Sequence, residues 1–280
     1  MVIEDISPII FSLGPIEVRW YGVMIALSFV IGSYLFLKHG KQKGINEDIL
    51  LTAIIAIIVG GVVGARLIYV LTNFPYFVES PEQIIRVDRG GLAFHGALLG
   101  GLLGGWLIAY LNRLRLHDFL DLAVPGIAIG YMLVRTANIF NQEVLGRFAA
   151  ELPWDRHPAQ VYGILIGLIL LLLHYYWIQH PRNRPGMLFW SFIFHYSLLR
   201  GVIEETFRDN PLYLGGYISE AWGIGFFTLT QIFTPPLLLL AWYMRQRAST
   251  MPQMEYSSSK ASIPSPPKKK KKKRKSKKSK

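Results

Sequence analysis

The sequence of 280 residues contains no cysteine. This absence excludes disulfide bonds, thiolate metal sites and a cysteine nucleophile. Acidic side chains are nearly absent from the C-terminal segment, where residues 245–280 hold 14 of the 30 Lys and Arg residues and one acid, Glu255. Residues 1–244 hold 16 basic and 17 acidic side chains. The net charge of +12 therefore belongs to the C-terminal segment, and the rest of the chain lacks the basic character of a nucleic-acid-binding domain.

Long apolar runs dominate residues 1–244. The whole chain of 280 residues is 51% hydrophobic. Soluble helices and strands alternate apolar with polar residues, whereas a bilayer-spanning helix needs about 20 mostly apolar residues in succession. The runs predict an all-α fold, a polytopic membrane helix bundle with about seven transmembrane helices. The predicted spans are residues 20–37, 49–71, 91–111, 119–139, 159–178, 187–207 and 221–244.

The C-terminal lysines set the predicted orientation of the bundle. Loops rich in Lys and Arg stay in the cytoplasm, so we expect a cytoplasmic C-terminus, and seven crossings then place the N-terminus outside. Residues 268–275 have nothing to bury, which predicts a disordered tail attracted to anionic lipid of the inner leaflet. The chain is thus divided into an integral-membrane domain, residues 1–245, and a lysine-rich cytoplasmic tail, residues 246–280.

Ionisable side chains within or beside membrane spans are costly and indicate function. Arg135 and Asn138 share a helix face near the end of the fourth span, and Asn141 and Glu143 follow closely. A guanidinium group, two carboxamides and a carboxylate suit an anionic, oxygen-rich head group. The spacing equally allows Arg135 to extend to the interface and pair with Glu143.

A second group of polar residues occurs at four-residue steps in the sixth span. Tyr196, Arg200, Glu204 and Arg208 would form one polar track along a helix. The alternative is an internal ion pair between Arg200 and Glu204 that only holds the bundle together.

His95 begins a glycine-rich span, and a histidine side chain titrates near neutral pH. It is a candidate proton acceptor if it faces a polar cavity, and otherwise an interfacial hydrogen-bonding group. Glycines four residues apart, such as Gly60 and Gly64, predict close packing between helices.

Taken in order, these segments resemble the bacterial prolipoprotein diacylglyceryl transferases. The resemblance covers most of residues 10–245 and is most specific between Arg135 and Gly146. The sequence departs from the family pattern in a few positions. The family usually has glycine where this chain has Val134, Ala137 and Ala97, an acid in place of Gly163, and one residue fewer between Glu204 and Arg208. The matching segments include Gly14-Pro15, Arg19-Trp20-Tyr21-Gly22, Arg86, Gly90 to Gly96, Arg135 to Gly146, His157-Pro158, Gln160, Tyr162, Tyr196, Arg200, Glu204 and Gln231.

The resemblance implies an enzyme of the bacterial plasma (inner) membrane that acts in lipoprotein biogenesis. Members of the family move the diacylglyceryl group of phosphatidylglycerol to the lipobox cysteine of a prolipoprotein, which forms a thioether and releases glycerol phosphate. No metal, organic cofactor or nucleic-acid partner is expected. The implied catalytic residues are His95 as the candidate thiol base, Arg135, Arg200 and Glu143. The implied phosphatidylglycerol-binding residues are Arg135, Arg200, Asn138, Asn141, Tyr21, Tyr196, Glu204 and Gly146.

The identity of the base stays open at this stage, because Glu143 or Glu204 could orient a cation or accept the proton in place of His95. Two other classes of protein are alternatives to such an enzyme. A transporter or channel predicts repeats between the halves of the chain, and none is visible. A membrane scaffold would explain the lysines and leave Arg135 and Arg200 without a role.

Overall fold

The computed structural model describes residues 7–14, 16–87, 90–213 and 215–252. Within these ranges the chain is mostly helical. The elements are β1 (Ile9–Leu13), β2 (Ile16–Arg19), α1 (Trp20–Gln42), α2 (Glu47–Thr72), α3 (Phe74–Glu79), α4 (Phe94–Leu111), α5 (Leu116–Phe140), α6 (Ala159–Ile178), α7 (Met187–Leu198), α8 (Glu205–Phe207), β3 (Tyr217–Ser219), β4 (Ile224–Gly225) and α9 (Leu229–Ser249). A 3-10 turn covers Pro81–Gln83, and a π-helical turn, Leu199–Glu204, joins α7 to α8.

Five helices in the described ranges are long and apolar enough to cross a membrane, namely α1, α2, α4, α5 and α6. The buried share of their apolar windows runs from 6% in α1 to 39% in α5, so most of this apolar surface faces outward. A soluble protein rarely exposes so much contiguous apolar surface, whereas a membrane protein covers it with lipid. The chain is therefore a membrane protein with several spanning helices, as the sequence predicted.

The last two predicted spans differ from the observed helices. Residues 187–207 are helical throughout, but the π-helical turn interrupts the α-helix after Leu198. The final helix begins at Leu229 rather than at 221, because residues 217–225 form the antiparallel β3–β4 pair. Thr228 then starts α9 with a capping box, in which its side chain and that of Gln231 bond to each other's backbone N–H groups. These strands and the β1–β2 hairpin correct the all-α prediction at two small sites.

Glycine brings the backbones of α2 and α4 into direct contact, as the four-residue spacing predicted. A Cβ atom added to Gly64 would lie 2.4 Å from the carbonyl oxygen of Gly96, and one added to Gly100 would lie 2.0 Å from that of Gly60. No side chain fits at these positions without separating the helices.

α5 is central because it contributes to both buried apolar clusters. The first cluster packs Phe119 of α5 against Phe36, Leu50 and Ile108, which come from α1, α2 and α4. The second packs Val124 and Ala128 of α5 against α6 and α7, with Ile166, Leu170 and Phe192. The first half of α5 therefore packs against helices on both sides.

The predicted lysine-rich tail lies outside the described residues from 253 onward. Before that point, α9 continues to Ser249, and Ala248 is fully buried. Arg115 also donates a hydrogen bond to the carbonyl oxygen of Pro252 at 2.6 Å. Packed structure therefore extends beyond residue 245, the boundary that composition had suggested.

Candidate active site

Arg135 and Glu204 form a buried ion pair at the end of α5. Arg135 lies about one turn before the helix ends and is only 7% exposed, and Glu204 is fully buried. The Arg135 Nη2 donates to Glu204 Oε1 at 2.6 Å. Tyr131, one helical turn earlier, donates its hydroxyl to the other oxygen of Glu204, and its ring centroid lies 4.8 Å from the Arg135 guanidinium carbon. Glu204 thus has a partner on each oxygen, which a buried carboxylate requires.

A second ion pair joins Arg200 and Glu205, which lie five residues apart. Their Nη2 and Oε1 atoms are 3.1 Å apart. Side chains with this spacing diverge on an α-helix, but the wider π-helical turn brings residues i and i+5 together. The Nη1 of Arg208 lies 3.6 Å from Glu205 Oε1 and 4.0 Å from Glu204 Oε1. Asn210 donates to Glu205 Oε2 at 2.7 Å. The set of residues joined by these contacts is called the ion-pair cluster below: Tyr131, Arg135, Arg200, Glu204, Glu205, Arg208 and Asn210.

These contacts correct two predictions for this part of the chain, the polar track and the alternative ion pair between Arg200 and Glu204. The four residues do not form one α-helical stripe, because Arg208 follows α8 in extended backbone with φ −84° and ψ 139°. The proposed Arg200–Glu204 pair is replaced by pairs to Glu205 and Arg135 respectively. Tyr196 lies beside the cluster, where its ring meets that of Tyr131 edge-on at 5.4 Å.

The cluster has more positive than negative charge. Three guanidinium groups, from Arg135, Arg200 and Arg208, face two carboxylates, so one positive charge remains when all five groups are ionised. Burial lowers the pKa of the Arg208 guanidinium, and Glu205 offsets part of that decrease. The Nε of Arg135 is buried and makes no hydrogen bond in the described part of the chain. An anion with acceptor oxygens would satisfy both the charge and this donor.

Asn138, Asn141 and Glu143 form a turn at the end of α5. Asn138 donates from Nδ2 to Glu143 Oε2 at 3.1 Å, and Gln160 fixes the turn by donating to the Glu143 carbonyl oxygen at 2.8 Å. Glu143 is exposed and does not pair with Arg135, which excludes the surface-anchor alternative. The carboxamide oxygens of Asn138 and Asn141 are buried and accept no hydrogen bond from the described residues. They are available to accept hydrogen bonds from hydroxyl groups.

Gly146 positions the loops above this turn. A Cβ atom at this residue would lie 2.0 Å from the carbonyl oxygen of His157, so no other residue fits without moving the backbone. Gly146 also forms a β-bridge with Arg208, and the neighbouring Arg147 N–H donates to the Phe207 carbonyl oxygen at 2.7 Å. These contacts hold Arg208 against the cluster, and the phosphatidylglycerol-binding role of Gly146 stays a prediction.

His95 and Tyr21 lie on helices that do not carry the ion-pair cluster. Each is the second residue of its helix, α4 and α1 respectively, and both are exposed. Neither side chain makes a hydrogen bond or an ion pair to another residue that the structure describes. The stacking of Trp20 on Phe140, with centroids 4.4 Å apart, brings the start of α1 to the end of α5. The roles assigned to His95 and Tyr21 stay predictions.

Three residues of the cluster were not identified from the sequence. Tyr131 lies four residues before Arg135, so helical spacing alone places it on the same face. Glu205 was missed because it lies off the four-residue track, and only the π-helical turn brings it into the cluster. Asn210 follows the helix and had no periodic signal.

Gly163 explains how Arg135 lies so close to α6. A Cβ atom on Gly163 would lie 2.6 Å from both Cδ and Nε of Arg135. The absence of a side chain at this position leaves room for the arginine stem. Arg135 is held through Glu204, and its Nε has no hydrogen-bond partner among the described residues.

No group of three His, Asp or Glu side chains within the described ranges is arranged to hold a metal ion. The chemistry of the cluster instead comes from guanidinium groups, carboxylates and carboxamides. The expected lack of a cofactor stays a prediction.

Comparison with known proteins places this arrangement in a family. Residues 8–245 match the family model described as prolipoprotein diacylglyceryl transferase. A phosphatidylglycerol–prolipoprotein diacylglyceryl transferase of Thermoanaerobacter sp. (strain X514) is 47% identical over 91% of this chain and 99% of its own length. Enzymes with the same name from Caldanaerobacter subterraneus and Thermus thermophilus are 45% and 39% identical, over 91% and 84% of this chain and 99% and 96% of their own lengths. The chain belongs to the prolipoprotein diacylglyceryl transferase family.

Proposed function

We propose that this chain transfers the diacylglyceryl group of phosphatidylglycerol to the lipobox cysteine thiol of prolipoproteins. The relatives with 39–47% identity over most of both chains carry the name of this reaction. The observation that supports a site for it is the surplus positive charge of the buried cluster around Arg135 and Arg200. The phosphodiester of phosphatidylglycerol carries one negative charge, which matches that surplus.

The cluster would hold the phosphate and stabilise the leaving group. The thiolate sulfur attacks the carbon of the diacylglyceryl group that is bonded to a phosphate oxygen. The bond between that carbon and that oxygen breaks, and its electron pair leaves with glycerol phosphate. Negative charge therefore grows on the phosphate oxygens in the transition state. The unpaired Nε of Arg135 and the fork of Arg200 are donors suited to that charge.

The carboxamides at the end of α5 would recognise the glycerol head group. The unpaired oxygens of Asn138 and Asn141 accept hydrogen bonds from hydroxyl groups, and the head group of phosphatidylglycerol carries two. Glu143 orients Asn138 by accepting from its Nδ2. Tyr21 and Tyr196 offer further hydroxyl groups.

His95 is the proposed acceptor of the thiol proton. Its exposed position at the start of α4 leaves it accessible to a peptide substrate. The connection between α4 and α5 has only four residues, 112–115, so the two helices run in opposite directions. The start of α4 and the end of α5 consequently lie at the same end of the bundle, as a shared reaction requires.

The topology that fits this site has seven crossings in the inner membrane. The crossings are α1, α2, α4, α5, α6, the helical stretch from α7 to α8, and α9, with the N-terminus outside and the C-terminus cytoplasmic. Residues 1–245 would carry the catalysis, and the lysines beyond them would attract anionic lipid on the inner leaflet. A reporter fused after Lys280 should be active only as a cytoplasmic marker, and periplasmic activity of that fusion would contradict the topology.

Purified protein with labelled phosphatidylglycerol and a lipobox peptide tests the reaction directly. We expect the diacylglyceryl label to appear on the peptide in a thioether, with release of glycerol phosphate. A peptide with serine in place of the cysteine is the matched control and should stay unlabelled. If well-folded protein transfers no label to the cysteine peptide, the proposed function is wrong.

A further inference from the structure

Three consecutive residues of α2 contact the backbone on both sides of His95. Gly64 touches Gly96, because a Cβ atom on Gly96 would lie 2.2 Å from the Gly64 carbonyl oxygen. The carbonyl oxygen of Ala65 accepts a hydrogen bond from the Ala93 N–H at 3.0 Å. The third residue, Arg66, extends away from α2 to the segment that precedes α4.

Arg66 donates to four backbone carbonyl groups in the α3–α4 connection, by which we mean residues 80–87 and 90–93. Nε donates to Ile84 at 2.7 Å, and Nη1 donates to Gly90 and Gly91, each at 2.9 Å. Nη2 donates to Gln83. One planar guanidinium group thus joins the 3-10 turn at one end of the connection to the glycine pair just before α4.

Aromatic rings fix the guanidinium group in this place. Its central carbon lies 5.6 Å from the ring centroid of Tyr69 and 5.3 Å from that of Phe77. Gly91 has φ +74°, and a Cβ atom on it would lie 2.7 Å from Arg66 Nη1 and 2.5 Å from Tyr69 Cε1. An arginine that only anchors a helix in the head-group layer points to water, whereas the half-buried Arg66 donates to four backbone carbonyl groups of the protein.

We propose that Arg66 is a positioning residue for the transfer reaction, which acts by fixing the α3–α4 connection and thereby the placement of His95. This inference rests on the proposed function, in which His95 accepts the thiol proton. His95 makes no hydrogen bond to the described residues, so its position depends on the backbone that carries it. Misplacing a catalytic group by about 1 Å can lower a rate on the order of 10²-fold.

A double-mutant cycle separates this role from general support of the fold. The variants are Arg66→Gln, His95→Gln and the double variant, with Arg113→Gln as the control because Arg113 is exposed in the turn between α4 and α5. We expect Arg66→Gln to lower kcat on the order of 10²-fold with little change in KM for phosphatidylglycerol. The double variant should be no slower than His95→Gln alone, because both changes disable the same step.

Arg66→Lys adds a test of geometry. A lysine ammonium is compact and cannot reach carbonyl groups at both ends of the connection, so this variant should resemble Arg66→Gln in kcat. Amide hydrogen exchange at residues 84–87 and 90–93 should rise in both Arg66 variants and stay unchanged in Arg113→Gln. Unchanged exchange in the Arg66 variants would overturn the proposal.

The cycle also distinguishes failure of this inference from failure of the proposed function. If the losses from Arg66→Gln and His95→Gln multiply in the double variant, Arg66 does not act through His95 and only this inference is wrong. If His95→Gln retains the wild-type rate, both the base role of His95 and this inference are wrong. If the wild-type protein transfers no diacylglyceryl group, the proposed function itself fails.

Discussion

Two buried carboxylates at opposite ends of α5 are held in different ways. Asp121, near the start of α5, accepts hydrogen bonds from the backbone N–H groups of Gly186 at 2.7 Å and Phe189 at 2.8 Å, where α7 begins. Glu204, at the other end, accepts from the side chains of Tyr131 and Arg135. The partners of Asp121 are fixed by the backbone, whereas a guanidinium group can exchange a carboxylate for a phosphate.

Burial of a charge therefore does not by itself mark a functional site. Asp121 satisfies N–H groups of the first turn of α7 that would otherwise lack partners, which is a structural role. Glu204 belongs to a cluster with surplus positive charge and a buried, unpaired donor on Arg135. Substitutions at the two ends of α5 should therefore affect different properties of the protein, and four experiments examine this contrast.

The largest effect is expected from lysine at the arginines of the Glu204 end. Arg135→Lys and Arg200→Lys keep the charge but lose the planar fork that binds phosphate through two bonds. Each should lower the rate of diacylglyceryl transfer on the order of 10²–10³-fold while the protein stays inserted and folded. Arg113→Lys is the control and should retain the wild-type rate. A near wild-type rate for either cluster variant would mean that the arginine only anchors its helix and does not bind the phosphate.

The extent to which the sequence predicted this end of α5 has a physical explanation. Apolar runs long enough to span a bilayer as a helix predicted the helices. The four-residue spacing of glycines predicted the α2–α4 contact at Gly60 and Gly64. The ion-pair partners were wrong, because spacing rules assume an α-helix and the π-helical turn pairs Arg200 with Glu205 instead of Glu204. Long-range partners such as Tyr131 for Glu204 depend on tertiary packing, which no local pattern encodes.

Glu204→Gln, a substitution at the Glu204 end of α5, should have the second-largest effect. Loss of the carboxylate raises the surplus charge of the cluster by one unit, so phosphatidylglycerol and the released glycerol phosphate should both bind more tightly. We expect KM for the lipid to fall and kcat to fall roughly tenfold, which corresponds to about 1.4 kcal/mol, because the product leaves slowly. A rise in KM with unchanged kcat would mean that Glu204 binds the substrate directly.

Asp121→Asn should lower stability without lowering the rate of folded protein. Asparagine offers one acceptor oxygen in place of two, so either the Gly186 or the Phe189 N–H loses its partner inside the protein. The unpaired group should reduce stability by about 1–3 kcal/mol, measured as a lower thermal midpoint in detergent. The rate per folded molecule, measured well below that midpoint, should equal that of the wild type. A kcat defect comparable to that of Glu204→Gln would break the contrast between the two ends.

The smallest effect is expected from removing the lysine-rich tail, and the position of the cut decides the result. Truncation after Pro252 keeps all of α9 and the hydrogen bond from Arg115, the residue that immediately precedes α5 at its Asp121 end. Such a variant should retain wild-type transfer activity and thermal stability in detergent.

Truncation after Arg247 is the informative comparison for that experiment. It removes Ala248, which is fully buried, and the Pro252 carbonyl group that Arg115 bonds. The Pro252 contact lies at the end of α5 where we expect structural roles, so this shorter variant should lose thermal stability and keep its rate per folded molecule. A full loss of activity after the Pro252 cut, in protein that is normally folded, would mean that the lysines take part in the reaction. Equal stability of the two truncations would instead mean that the last turn of α9 contributes nothing to holding α5, and the predicted boundary at residue 245 would then be the better one.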